Sequence, residues 1–519
     1  MANKSQVVTL TMSDRPRAVN REEDVKAFSD VLDRIILQRP GATPVLEWFG
    51  GPGIGKSTLV NELLIPECEK RAAPWALINF KQSPVSEFVA DPTRLLEIIL
   101  LQLGQAARTD AATDRFREAL ERFRSGERPP EVVRSYFQMS PDDRLYNRPP
   151  WLNSLREVAR EFVAAFARFG QDEKDRPRPV VLFFDETERA DFELTDWIEE
   201  WIVSPLVQLR EVVVVWTARR PWRWKRPETR RRVASRALSV FDQEDVQAQF
   251  RSSGSRSDLA AALFAKVYAM TGGHPFANAV VIDQVNAWEA GGQHVTAEAF
   301  SQQERALLAT IFERFIQDYA FERLDREARI ACELMGLVRI FDTTMLRRVL
   351  HEHGGQPFRE WSQEDYGDLL LRLKKTQLLV WTKGYSLDPA LRYLIHEYYA
   401  ACQPETYVAV NRTALGVYLE WLTRPVDNRA LFLIEALYHQ ACLRRAGEAV
   451  SLEDTLEEQL GEYRRRIRDD DALRQALEQL AGELEQDSEL GRFIEVSRLT
   501  LLVDRVRTSE SVSLTTKNH

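Results

Sequence analysis

The chain is 519 residues long, 44% hydrophobic and 29% charged, with a formal net charge of -9. That length exceeds what one hydrophobic core organises and predicts several domains, while the acidic balance argues against a surface that is a nucleic-acid platform throughout. Four widely spaced cysteines, Cys68, Cys332, Cys402 and Cys442, supply neither a disulfide framework nor a paired zinc motif and fit a reducing cytoplasm. The opening Met1-Ala2-Asn3-Lys4-Ser5-Gln6 lacks the apolar core of a signal peptide, and no apolar run approaches the roughly 20 residues that span a bilayer. A soluble cytoplasmic protein with no membrane partner is expected.

Residues 1–19 read as an extended lead-in, and Asn20-Arg21-Glu22-Glu23 opens an amphipathic helix to Ile36. The apolar run Val45-Leu46-Glu47-Trp48-Phe49 then leads into Gly50-Gly51-Pro52-Gly53-Ile54-Gly55-Lys56-Ser57-Thr58, a GxxxxGKS loop between strand and helix. Glycines let such a loop wrap a polyphosphate with its N–H groups inward, and the helix starting near Lys56 adds the positive end of its dipole. Lys56 is then placed to neutralise the outer phosphates and Ser57 to hold Mg²⁺.

A second strand is expected over Trp75–Phe80, followed by a helical insertion over about 86–170, a polar linker from Asp172 to Pro179, and the apolar run Val180-Val181-Leu182-Phe183-Phe184. Such a run reads as a strand buried on both faces, and it ends in Asp185-Glu186. A helix from Thr195 to Leu209 leads to a further buried strand, Glu211 to Thr217, which delivers Ala218-Arg219-Arg220. Alternating strands and helices predict a parallel α/β sheet with helices on both faces, whose ligands bind at the carboxyl ends of the strands. This nucleotide-binding domain is assigned to 20–237.

Helices take over beyond Leu238, broken by Thr271-Gly272-Gly273-His274-Pro275, and read as a helical lid over 238–320. Three helices and two short apolar runs around Lys383-Gly384 suggest a winged helix over 321–400. A helical domain follows over 401–506, with a Ser/Thr-rich tail, 507–519, expected to be disordered. The whole is a multidomain α/β plus α chain of the P-loop NTPase type.

At the end of a buried strand beside such a loop, one carboxylate is needed in the Mg²⁺ shell and one to polarise the attacking water, so Asp185 and Glu186 point to hydrolysis. The long separation from Lys56 is accounted for by the inserted helices. Arg219, at the tip of a third core strand, is the candidate sensor of the terminal phosphate.

Together these residues resemble the STAND branch of the AAA+ group, the signal-transduction ATPases with numerous domains that include NB-ARC switches. The similarity spans roughly residues 20–399 and rests on Asn20-Arg21-Glu22, the loop from Gly50 to Ser57, Asp185-Glu186, Thr217-Ala218-Arg219 and Gly273-His274-Pro275. It implies an adenine site near Arg21 with Pro275 packed on the base, ATP and ADP with Mg²⁺ as ligands, slow regulatory hydrolysis, and assembly into a homo-oligomer or with a partner protein, with bacterial defence among the settings the family occupies. Where many members carry a His-Asp pair that reads the ADP phosphates, this chain has Leu387-Asp388. No arginine finger acting in trans is assignable.

A second reading comes from Thr217 to Arg236, where nine basic residues stand against one acid, Glu228, with Trp222 and Trp224 between them. Guanidinium and aromatic groups together grip phosphates and stack on bases, which makes a DNA-binding AAA+ ATPase similar to origin-recognition or transposition-targeting proteins the alternative. The same arginines could instead pair with acids of a neighbouring subunit. A nucleotide-bound scaffold that turns over poorly is the third reading.

Overall fold

The structure is a computed structural model that describes residues 20–41, 44–83, 85–104, 111–126, 135–136, 139, 149–172, 176–190, 192–253, 261–292, 295–424, 428–467 and 469–515. The expected lead-in, 1–19, and the end of the expected tail lie outside these. The chain packs as two compact units, Met1–Ala297 and Glu298–His519.

Five strands make the sheet of the first unit: β1 (Val45–Phe49), β2 (Trp75–Asn79), β3 (Val180–Asp185), β4 (Val212–Ala218) and β5 (Val233–Ala237). All are parallel, in the order β2-β3-β4-β1-β5. The strand carrying the phosphate loop and the strand carrying Asp185 are therefore separated by β4, whose tip lies beside both. Every residue of β3 and β4 is buried, as their continuous apolar sequence requires.

Side chains alternate between the two faces of each strand, and each parity has its own core. Leu46, Trp48, Val181, Phe183, Val213 and Val215 meet Phe28 and Leu32 of the helix Glu22–Ile36 and Leu59, Val60 and Leu64 of the helical stretch 56–70. Val180, Leu182, Phe184, Val212, Val214 and Trp216 meet Leu95, Leu96 and Ile99 of Thr93–Gly104, Leu155, Val158 and Phe162 of Trp151–Arg168, and Ile198 and Ile202. The inserted helices are thus the layer that covers one face of the sheet. With each large apolar side chain contributing about 1.5–3 kcal/mol on burial, β3 and β4 are the main organisers of this unit.

Strand β5 is not assigned from the sequence, which reads there only as a basic stretch from Thr217 to Arg236. Its residues Val233-Ala234-Ser235-Arg236-Ala237 pair with β1 alone at the sheet edge, where charged side chains face solvent without cost. The unit is completed by helices Gln243–Ser252, Ala261–Thr271 and Pro275–Ala290.

In the second unit, helices Arg326–Met335, Thr343–His353 and Gln363–Lys375 precede an antiparallel hairpin of β6 (Leu379–Trp381) and β7 (Tyr385–Leu387), to which Phe341 adds a bridge at Tyr385. Asp388, at the position of the absent His-Asp pair, caps the helix Pro389–Cys402 by accepting from the Ala390 N–H. Further helices run to the end of the described chain. The last, Val496–Thr515, carries residues 507–515 as helix where disorder was expected. Among the described residues no helix is long and apolar enough to cross a membrane.

Buried charge also helps to hold this unit. Arg339 Nη2 lies 2.7 Å from Glu435 Oε1, and Arg339 Nη1 lies 2.6 Å from Asp487 Oδ2, with all three side chains nearly buried.

Candidate nucleotide site

The loop after β1 is pinned to the sheet by the Gly50 N–H, which donates to the Ala218 carbonyl of β4 at 3.2 Å. Gly55, immediately before the helix, has φ +97°, a left-handed conformation that L side chains avoid. Lys56 is 6% exposed, and its Nζ donates to the carbonyls of Gly50 at 2.7 Å and Gly51 at 3.0 Å. No carboxylate lies within ion-pairing distance of it among the described residues. Burial lowers its pKa, opposed by the charge of Glu188 before those of Asp185 and Glu186. A buried ammonium bonded, among the described residues, to neutral carbonyls, inside a glycine loop at a helix start, suits a phosphate anion.

The register of β3 against β4 pairs Phe184 with Trp216 and so brings Asp185 beside Thr217. The Thr217 hydroxyl donates to Asp185 Oδ1 at 2.5 Å and accepts from the Glu186 N–H at 3.1 Å. Asn79, at the end of β2, donates from Nδ2 to Asp185 Oδ2 at 2.9 Å. The Ser57 hydroxyl also favours the ionised form of this carboxyl, but burial outweighs the donors and holds its pKa above the usual range. A cation beside it would reverse that balance. The donor set of a hydroxyl and a carboxylate, Ser57 and Asp185, fits Mg²⁺, which takes few protein ligands and completes its shell with phosphate oxygens and water.

Glu186 sits at φ 56°, ψ 45°, a left-handed conformation in a residue with a Cβ. Such positions carry a cost of about 1–3 kcal/mol and gather at functional sites. The conformation is held by the Thr217 contact above and by the Thr187 hydroxyl, which donates to the Thr217 carbonyl at 2.7 Å. The Glu186 carboxylate pairs with Arg189, and burial raises its pKa against that cation. Arg219 follows β4 as expected and donates from Nε to Glu188 Oε1 at 3.2 Å. Thus Lys56, Ser57, Asp185, Glu186 and Arg219 converge on the carboxyl edge of β1, β3 and β4.

The two residues expected near the base, Arg21 and Pro275, lie against the phosphate loop and at the start of the helix Pro275–Ala290, respectively. Arg21, 8% exposed, donates from Nη2 to the carbonyls of Ile54 at 3.1 Å and Ser239 at 3.2 Å and lies over the Phe241 ring. Pro275 is the first residue of the helix Pro275–Ala290, and its carbonyl accepts from Gln249 at 3.0 Å. Its neighbour His274 makes the link to the loop. The His274 Nδ1 accepts from the Ala277 N–H at 3.3 Å, which assigns the proton to Nε2, and Nε2 donates to the Pro52 carbonyl at 3.0 Å. Burial depresses its pKa to about 4, so the ring is neutral at pH 7. Preceding Gly273 has φ +72°, and a Cβ there would lie 1.9 Å from the Phe241 carbonyl oxygen. Two loop carbonyls, Pro52 and Ile54, are therefore gripped from outside the loop.

Sequence reasoning left out Glu188, Asn79 and the role of His274. The last stood within the Gly273-His274-Pro275 motif, but no local pattern announced the other two.

The basic stretch is anchored from inside. Glu47, buried on β1, accepts from the Trp222 N–H at 2.7 Å, and Glu199 accepts from the N–H groups of Lys225 and Arg226, each at 2.7 Å. Trp224 is 7% exposed with its ring 5.2 Å from that of Trp216, and Trp222 packs between Trp216 and Phe192. These rings serve the core rather than an outward stacking platform. Lys225 pairs with Asp196 and Arg226 with Glu200, whereas Arg223, Arg230 and Arg231 are exposed.

Residues 17–202 match the family model described as an AAA ATPase domain. No curated protein matches the chain. Among solved structures, the chain is similar to the ORC2 protein of Aeropyrum pernix in its ADPNP-ADP complexes, at 14% identity and a TM-score of 0.42 over 76% of this chain and 97% of that one. It is also similar to Cdc6p of Pyrobaculum aerophilum, at 12% identity and a TM-score of 0.36 over 76% and 97% of the two chains. The RuvB Holliday junction branch migration motor of Thermotoga maritima gives 13% identity and a TM-score of 0.34 over 72% and 95%. The parallel sheet with its phosphate loop, together with the match over residues 17–202, makes this stretch an AAA ATPase domain of P-loop fold, and the protein by class an ATPase.

Proposed function

We propose that the protein is a slow, regulatory ATPase switch of the STAND kind, ADP-bound at rest and ATP-bound when active. In this reading the loop amides from Gly50 to Thr58 and Lys56 hold the phosphates, Ser57 and Asp185 hold Mg²⁺, and Arg21 and His274 fix the loop. Bound Mg·ATP supplies a neutralised, electrophilic terminal phosphorus. Glu186 takes up the proton of the attacking water, a role for which burial has lifted its basicity above that of an exposed carboxylate. Thr217 fixes both acids through one hydroxyl, and Arg219 reads the terminal phosphate.

The observation that carries the switch reading is the bond from His274 to Pro52, which ties the helix Pro275–Ala290 to the phosphate loop. A change of nucleotide at the loop then acts on that helix directly, and only a difference in contacts between the two nucleotide states can move the equilibrium. The lid is assigned to 238–320, a winged helix to 321–400 and a sensor or scaffold to 401–506. Assembly into a homo-oligomer or with a partner protein is the proposed output, in a cytoplasmic signalling or defence setting.

The test is the mass of the full-length protein in solution by light scattering, with ADP, with ATP, and with ATP and Glu186→Gln. ATP should increase the mass and Glu186→Gln should make the increase persist. One mass in all three conditions would sink the switch.

The exposed Arg223, Arg230 and Arg231 keep DNA binding as a second reading. It requires duplex affinity that falls steeply with salt and is abolished by Arg230→Glu with Arg231→Glu.

A further inference from the structure

Glu188 lies on the short turn Thr187–Arg189 that follows β3, and it does none of the work assigned above. Its side chain is 6% exposed and that of Arg219 is 12% exposed, with Arg219 Nε 3.2 Å from Glu188 Oε1. Among the described residues the second oxygen, Oε2, is buried with no hydrogen-bond partner. Leaving a buried carboxylate oxygen unbonded is costly. The turn is nevertheless fixed in this conformation, by the Thr187 hydroxyl on the Thr217 carbonyl and by the Arg189 N–H on the Glu186 carbonyl at 2.9 Å. Glu188 is also the charge that acts most strongly on Lys56, and it raises the pKa of both Asp185 and Glu186.

We infer that Glu188 is a built-in rival of the terminal phosphate: its carboxylate holds Arg219 when the site contains ADP, and ATP must take Arg219 from it. The inference rests on the ATPase switch reading of the same site. A guanidinium binds a multiply charged phosphate more strongly than a carboxylate, so the exchange is possible, yet the pair must first be parted. The cost falls on ATP alone, because ADP has no terminal phosphate to offer Arg219. Once parted, Glu188 stands as a like charge among Asp185, Glu186 and the nucleotide. Glu188 therefore sets the ratio of ADP to ATP affinity, biasing the site toward ADP without touching the loop that binds both.

The test is competition of ADP and of the non-hydrolysable imido analogue of ATP against a fluorescent ADP analogue, with Mg²⁺ present, on full-length protein. Wild type, Glu188→Gln, Arg219→Ala and the double variant are compared. Glu188→Gln keeps the shape and removes the charge. It should tighten the ATP analogue about tenfold or more, the scale of a hydrogen bond to a charged group, and leave ADP within a factor of about two. In the Arg219→Ala background the same change should have a clearly smaller effect, because only the like-charge repulsion remains to be relieved. Glu188→Ala is read in the same way should Glu188→Gln fail to fold.

An unchanged ratio in variants that still bind ADP overturns the inference, as does an equal gain with and without Arg219. Wild type that binds neither nucleotide overturns the ATPase switch reading itself, a result distinct from either.

Discussion

Replacing His274 tests how the phosphate loop is held, and its cost follows from the geometry. The ring is 1% exposed, donates to the Pro52 carbonyl at 3.0 Å and accepts from the Ala277 N–H at 3.3 Å. His274→Ala removes both bonds and leaves a buried carbonyl and a helix N–H unpaired. At about 1 kcal/mol for the bond, about 1 kcal/mol for the cap and a comparable term for the vacated space, the loss is roughly 2–4 kcal/mol at neutral pH. His274→Asn restores an N-cap acceptor but not the bond to Pro52, and should recover about 1 kcal/mol.

The pH dependence is more specific still. The native pKa is pushed down from 6.5 to about 4, so between these values the unfolded chain binds the proton and the native chain does not. Stability from this residue is complete above pH 6.5 and is lost as the pH falls toward 4. At about 1.4 kcal/mol per unit, the loss is about 3 kcal/mol. Urea unfolding of the full-length protein between pH 4 and 7.5, followed by near-ultraviolet circular dichroism, should show the wild type losing its advantage over His274→Asn across that interval. The comparison between variants cancels the titration of buried acids such as Asp185. Parallel pH curves for wild type and His274→Asn would refute the buried neutral ring.

Two further substitutions probe other parts of the account. Thr217→Val keeps the shape of the side chain but strips the donor from Asp185 and the acceptor from the Glu186 N–H. It should destabilise the first unit by about 2 kcal/mol in thermal melts and lower ATP turnover by more than it weakens ADP binding. Arg339→Met leaves Glu435 and Asp487 as buried carboxylates without their cation, which should cost about 3–5 kcal/mol. Calorimetric unfolding should show that loss in the second unit, with nucleotide affinity unchanged.

What could be read from the sequence was what is local along it. The loop from Gly50 to Ser57, the acids closing a wholly apolar strand and the arginine after Thr217 each show themselves within a few residues, and the structure brings them to one edge of the sheet. Strand β5 was hidden because an edge strand tolerates Ser235 and Arg236, whose polarity imitates a loop. Asn79 and Glu188 were hidden for another reason. Their contact with Asp185 and Arg219 exists only through the pairing of β2 with β3 and of β3 with β4, which no single segment encodes. The tryptophans misled in the opposite direction, since Trp222 and Trp224 next to arginines look like a stacking surface until Glu47 and Glu199 are seen to draw their loop inward. His274 lay within a motif whose proline drew the notice, while the imidazole makes the bond to the loop.

The most direct measurement is titration calorimetry of Mg·ATP into wild-type protein and Lys56→Ala. Lys56 is the buried ammonium of the loop, bonded among the described residues to the loop's own carbonyls. Deleting a charge-assisted contact of this kind should weaken ATP by at least about tenfold, with the fold intact by circular dichroism. Equal affinities in a folded Lys56→Ala protein would contradict the claim that this loop is where nucleotide is held.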